Sequence, residues 1–113
     1  MSPSSAPLRG QVFHVDLERA GPHYWLVVSN NQRNAHLHDV LVVQLTTTPP
    51  RSPRPSHVPL ANGQDPFEGW AKCDDIGPIF RDRLGPVKGA LSPATMRRVD
   101  AGLAFALNLP RLG

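Results

Sequence analysis

A chain of 113 residues has the size of one domain, with room for a single modest hydrophobic core. Its thirteen prolines and nine glycines exclude a helical bundle and suit short strands punctuated by turns. The lone Cys73 excludes an intrachain disulfide framework and fits a reducing cytoplasm, the net charge of +3 leans towards a polyanionic partner, and no apolar run approaches the ~20 residues that span a bilayer.

Met1–Pro7 is small and polar with no apolar centre, so it reads as a disordered leader rather than a signal peptide, with 8–113 as one domain. From Leu8 the pattern changes. Val12, His14 and Asp16 alternate with Phe13, Val15 and Leu17, the spacing of a half-buried strand. Glu18 to Pro22 is a short turn, broken by Ala20-Gly21-Pro22. The run from Tyr24 to Ser29 is too continuously apolar to have a wet face and belongs in the middle of the sheet. A polar connection, Asn30 to Asp39, leads to a second central strand, Val40 to Thr47. Both central runs end abruptly in small polar residues, which can offer hydroxyls and amides to a ligand.

Pro49 to Ser56 is a mobile, partly polyproline-like loop. It lies within the domain, because cutting there would leave two pieces too small to fold. Its Arg51 and Arg54 either line a groove or simply face solvent. His57 to Leu60 reads as a short strand, Asn62 to Pro66 as a turn, Trp70 to Ile76 and Phe80 to Leu84 as two further strands, and Val87 to Leu91 as the last. Ser92 is a good N-cap with Pro93 at the first helical position, and Met96, Val99, Leu103, Ala106 and Leu107 form one apolar stripe before Pro110 closes the helix. Together these elements imply a small, strongly curved β-sheet or barrel sealed by one C-terminal helix.

Several pieces occur in a telling order: Arg9-Gly10-Gln11-Val12-Phe13, Val15-Asp16-Leu17, Leu26 to Asn31, Leu45-Thr46-Thr47, Cys73-Asp74-Asp75-Ile76 with Arg83-Leu84, and Gly89 to Met96 followed by Val99-Asp100. This ordered set, from Leu8 to Leu109, resembles the MazF/PemK family of toxin ribonucleases. The resemblance implies a mainly β fold, an SH3-like small β-barrel with a C-terminal α-helix, that forms a homodimer. It also implies a toxin that cuts single-stranded RNA at short sequences with no metal or other cofactor. The products would be 2′,3′-cyclic phosphate and 5′-hydroxyl ends. A MazE-like antitoxin would inhibit it by laying an acidic extended tail across the RNA site. The chain departs from the family in two places. His23-Tyr24 stands where the family has Arg-Pro, and the first loop is shorter, so that Glu18 is too close to the strand to match the family's glutamate.

Metal-free RNA cleavage needs a base for the 2′-hydroxyl, a donor for the charge on phosphorus and an acid for the 5′-oxygen. By resemblance His23 occupies the family's catalytic-arginine position, where an imidazole can serve as acid, base or phosphate cation. Thr46, at the end of a central strand, can donate its hydroxyl to a phosphate oxygen. Thr47 is the alternative, since a one-residue shift presents the other face. Ser29 shares strand parity with His23. Arg9, Lys72 and Arg83 are candidate phosphate contacts, with ordinary solvated charge as the alternative. Trp25 and Trp70 fit packing better than base stacking, and Asn30 and Asn31 fit turn-building. His36 and His38 lack a third ligand, so no zinc site is expected. Two other readings use the same scaffold. One is a non-catalytic toxin that poisons DNA gyrase. The other is an interaction module with an aromatic groove, which the scattered aromatics disfavour.

Overall fold

The alternation of apolar residues builds one antiparallel sheet of six strands in the order β4-β5-β3-β2-β1-β6. In the computed structural model, residues 6–17 and 21–110 are described. The strands are β1 (Gln11–Leu17), β2 (Gly21–Val27), β3 (Asp39–Thr46), β4 (His57–Pro59), β5 (Trp70–Phe80) and β6 (Val87–Ala90), with helices α1 (Asn31–His36) and α2 (Pro93–Leu107). Register shifts at Val12/Phe13 and Val43/Gln44 mark bulges, which increase local twist and curl the sheet into a half-barrel. The mainly β fold with a C-terminal helix is therefore as expected. Residues 1–5 of the expected leader and Glu18 to Ala20 of the first turn lie outside the described residues, while Pro7 is buried.

The two faces of the sheet carry two apolar clusters. Val12, Leu26, Val43, Leu45, Val58, Ala71 and Cys73 pack under Val99 of α2 on one face. Val15, Val27, Val40, Val42 and Ile79, with Phe13, Trp25 and Leu84, occupy the other. Central strands β2 and β3 are thus buried on both sides, as their unbroken apolar runs require.

Three expectations need correction. The polar connection after β2 contains α1, a helix of six residues. Its single turn is too short for periodicity to reveal, and its signal is the Asn30 side chain, which accepts the Arg33 backbone N–H at 2.7 Å as an N-cap. Secondly, Trp70 to Phe80 is one strand, and Arg81–Arg83 is a 3₁₀ turn rather than a strand. Gly77-Pro78 reads locally as a breaker. However, this half of β5 pairs only with β3, so Pro78 sits on a free edge where its missing N–H costs no ladder bond. Thirdly, Leu107 is 53% exposed, and Asn108, in the left-handed region at φ 54°, ends α2 before Pro110. The helix instead buries Gly102 beside Val58 and Cys73.

Asp65 ties the turn before β5 to α2. Its carboxylate accepts the backbone N–H groups of Ala61 and Ser92 and the Thr95 hydroxyl, each at 2.7 Å. Burial raises its pKa, but the bonds from Ser92, Thr95 and Ala61 outweigh that and hold it below the ordinary 3.8. A depressed carboxylate pKa stabilises the fold above the unfolded value, and that stability is lost as pH falls through the folded one. Acidification below about pH 4 is therefore expected to lower the melting temperature more steeply in the wild type than in Asp65→Asn. The variant starts lower at pH 7, having lost acceptors. Equal slopes by circular dichroism would show that Asp65 contributes no acid lability.

Candidate active site

His23 lies near the start of β2 and Thr46 at the end of β3. The register Trp25↔Gln44, Tyr24↔Leu45 continues one step to set His23 opposite Thr46. His23 Nδ1 is 3.0 Å from Gln44 Nε2, and the ring stands edge-on to Trp25 with centroids 6.4 Å apart. Gln44 and Thr46 are two apart on one strand, so both side chains share the face that His23 occupies. The same row continues across the sheet. Gln44 pairs with Lys72 and Thr46 with Trp70 on β5, and His57 of β4 pairs with Lys72. One face of four neighbouring strands thus presents two imidazoles, an amide, a hydroxyl, an ammonium and an indole.

Thr46, Thr48, Pro49, His57, Trp70 and Lys72 line a cleft of about 170 Å³. The start of the proline-rich loop therefore forms one wall. Thr46 Oγ1 accepts the Thr48 backbone N–H at 3.1 Å, which fixes the side chain while leaving its hydroxyl hydrogen to donate elsewhere. The strand end is held by an unusual approach. Gly69, at φ +125°, lies so close to Thr46 that a Cβ there would be 2.1 Å from the Thr46 carbonyl oxygen. Charges in the cleft are paired with neighbours. Lys72 Nζ is 2.9 Å from Asp75, while Asp74 accepts the Ser56 hydroxyl at 2.7 Å and lies 3.8 Å from Arg54 and 4.0 Å from His57 Nε2. Between them Cys73 turns inward. Burial, then the Asp74 charge, pushes its thiol up to about 12, so it is no nucleophile.

The remaining sequence-predicted residues lie elsewhere. Ser29 has the parity of His23, but β2 ends at Val27, and Ser29 is buried, donating to Asn34 and accepting the Leu41 N–H at 3.0 Å. It holds the turn and is not placed to touch a ligand. Arg9 sits at the far end of β2, where its Nε donates to the Val28 carbonyl at 2.8 Å and its guanidinium pairs with Asp100, fastening α2. Asn31 accepts the Arg9 N–H, so both asparagines build the turn as expected. Thr47 is exposed and borders a different cleft, with Leu60 and Glu68. Arg83 is exposed in the 3₁₀ turn, at the opposite end of β5 from Lys72. Of the predicted set, His23, Thr46 and Lys72 are brought together. Gln44 and His57 were missed, although Gln44 is the one polar break in Val42-Val43-Gln44-Leu45 and is in phase with Thr46. A larger cleft of about 650 Å³, bordered by Pro7, Phe13, His38, Phe80, Arg81 and Leu84, contains none of the three. The chemistry, rather than the volume, locates the site.

The described residues thus form a small curled antiparallel sheet backed by one helix, with a cleft at its strand ends that presents a hydroxyl, an imidazole and an ammonium. Residues 8–107 match the family described as PemK-like, MazF-like toxin of type II toxin-antitoxin system, and the chain belongs to that family. It is 45% identical over 106 residues to Endoribonuclease MazF4 of Mycobacterium tuberculosis and to Endoribonuclease MazF1 of Mycobacterium bovis, the match covering 94% of this chain and 97% of each relative. A solved endoribonuclease in complex with its cognate antitoxin, from a mycobacterial species, superposes with a TM-score of 0.86 at 45% identity, covering 95% of this chain and all of that one. A MazE-MazF complex from Deinococcus radiodurans superposes with a TM-score of 0.76 over 93% of this chain and 98% of that one. At 17% identity it shows the fold alone. The expected family and fold are borne out.

Proposed function

We propose that this chain is a toxin endoribonuclease that cleaves single-stranded RNA without a metal. The 2′-hydroxyl attacks the adjacent phosphorus, leaving 2′,3′-cyclic phosphate and 5′-hydroxyl ends, and the loss of message halts translation and growth. The observation that carries this reading is the placement of His23 and Thr46 on adjacent strands with side chains on one face, beside Lys72. Gln44 supports either protonation state of His23. Its amide nitrogen donates to Nδ1 of the neutral ring, and its carbonyl oxygen can accept from the imidazolium after a flip. His23 can then donate from Nε2 to the phosphate or the departing oxygen. The Thr46 hydroxyl and the Lys72 ammonium stabilise charge on the phosphoryl oxygens. The curated relatives at 45% identity are named as endoribonucleases, which supports the same reaction here.

The partners follow from the same reading. A MazE-like antitoxin with an acidic extended tail suits a chain of net charge +3, and a mycobacterial relative is solved with its own cognate antitoxin. A homodimer would cover the apolar cleft where Phe80, 64% exposed, stands with Phe13 and Leu84. Sedimentation at twice the chain mass is the expected reading, and a monomer at all concentrations would exclude it. No described helix is long and apolar enough to cross a membrane, and a toxin that acts on cellular RNA would work in the cytoplasm. The decisive experiment incubates purified protein with total RNA in EDTA and maps the new ends by sequencing. Cuts at a short recurring sequence with 5′-hydroxyl ends are expected. Intact RNA together with inhibition of DNA gyrase would replace this function with the non-catalytic one.

A further inference from the structure

We infer that His57 is the general base of the cleavage, a role that rests on the endoribonuclease reading. A metal-free transesterification needs two proton-transfer groups, and His23 supplies one. Among the described residues, His57 is the imidazole that shares the Thr46 cleft. Its side chain is 18% exposed, against Trp70 and Lys72. Register fixes this placement: His57 pairs with Lys72, Lys72 with Gln44, and Gln44 touches His23. The two imidazoles therefore flank Gln44 and Lys72 on a single face. Three inter-strand steps of about 4.8 Å separate β4 from β2, and RNA laid across this face would pass between the two imidazoles.

The surroundings of His57 suit a base. Asp74 lies 4.0 Å from its Nε2 and is itself anchored by the Ser56 hydroxyl at 2.7 Å. That distance is within ion-pair range and longer than a hydrogen bond; contacts of this kind tighten when substrate fills a site. With a carboxylate beside Nε2, Nδ1 is the nitrogen that would take the proton. The other charged groups facing His57 are Lys72 of β5, neutralised by Asp75, and Arg54 of the preceding loop, which lies 3.8 Å from Asp74. The segment from Thr46 to Pro50 adds only uncharged groups. In the reaction, His57 Nδ1 takes the 2′-hydroxyl proton as the 2′-oxygen bonds to phosphorus. The bond from phosphorus to the 5′-oxygen breaks, its electron pair stays on that oxygen, and the His23 imidazolium supplies the proton. Solvent exchange restores both rings.

The test uses full-length protein and an RNA oligonucleotide containing the mapped cut, made with either the natural linkage or a 5′-bridging phosphorothiolate. His57→Gln and His57→Ala are expected to cut the natural linkage at least ~10²-fold more slowly, with an unchanged circular dichroism spectrum. The thiolate leaves without a proton, so the phosphorothiolate relieves the defect of His23→Ala and leaves that of His57→Gln in place. The rise of kcat/KM on the acid side of the wild-type pH profile disappears in His57→Gln. A His57→Gln rate within about threefold of wild type, a retained acid limb, or rescue by the phosphorothiolate would remove His57 from the mechanism while the wild type still cut RNA. A wild type that leaves the oligonucleotide intact would instead remove the nuclease reading and this role with it.

Discussion

Alanine at His23 or at Thr46 is expected to slow RNA cleavage by at least ~10²-fold, because in the proposed mechanism each removes a group that acts in the transition state. His23→Ala deletes the Nε2 donor and leaves Gln44 facing an empty space. Thr46→Ala deletes a hydroxyl whose orientation is fixed by the Thr48 N–H at 3.1 Å. The loss should fall on kcat, with substrate affinity changed little, since the interactions are made most strongly to developing charge. Thr46→Ser keeps the hydroxyl and should keep most of the activity, whereas Thr46→Val keeps the β-branched shape and should not. Both positions lie on the rim of the sheet rather than in either apolar cluster, so melting temperatures should stay close to wild type. The double variant should be little worse than the poorer single one, as residues that act as a unit are not additive. Normal cleavage by both single variants would move the site elsewhere, and the cleft beside Phe80 would be the next place to look.

How much of this could be read from the sequence depended on whether the signal was local. β1 to β3 were legible because their apolar patterns are long, and α2 because Ser92 and Pro93 announce it. The candidate residues His23 and Thr46 were legible through the resemblance, but the β2–β3 register that sets them on one face is not visible in the sequence. Ser29 shares the parity of His23 yet leaves its face, because parity holds only while the strand lasts and β2 stops at Val27. Arg9, offered as a phosphate contact, lies away from the cleft for a different reason. A guanidinium near the chain start gives no local hint that Asp100, ninety-one residues on, will claim it. His57 was invisible because its partner is Lys72 on another strand, and a three-residue strand after a proline-rich loop fixes no register by itself. The continuous β5 was missed because edge position, which makes Pro78 tolerable, is a property of the sheet and not of the segment.

Gly69 joins the fold to the chemistry, and Gly69→Ala is expected to damage both. Two costs compete there. At φ +125° a side chain is strained whatever space it finds, a penalty of about 1–3 kcal/mol. The new Cβ would also meet the Thr46 carbonyl oxygen at 2.1 Å and the Thr47 Cα at 3.1 Å, both backbone atoms that no rotamer change can move. Gly63 separates the two terms. It has φ +83° but no atom within 4 Å of its ideal Cβ, so Gly63→Ala carries the backbone strain alone. The clash should therefore make Gly69→Ala the more severe change by a clear margin. A combined cost above about 2 kcal/mol corresponds to a fall in melting temperature of roughly 10 °C for a domain of this size. Gly63→Ala should lose less than Gly69→Ala and keep wild-type cleavage. In Gly69→Ala the end of β3 must shift, which moves the Thr46 hydroxyl, and a displacement of about 1 Å at a catalytic group costs ~10²-fold. Cleavage should then fall even at temperatures where the variant is fully folded. If the two alanine variants melt together and both cut RNA normally, the contact between Gly69 and Thr46 does not hold the strand end in place.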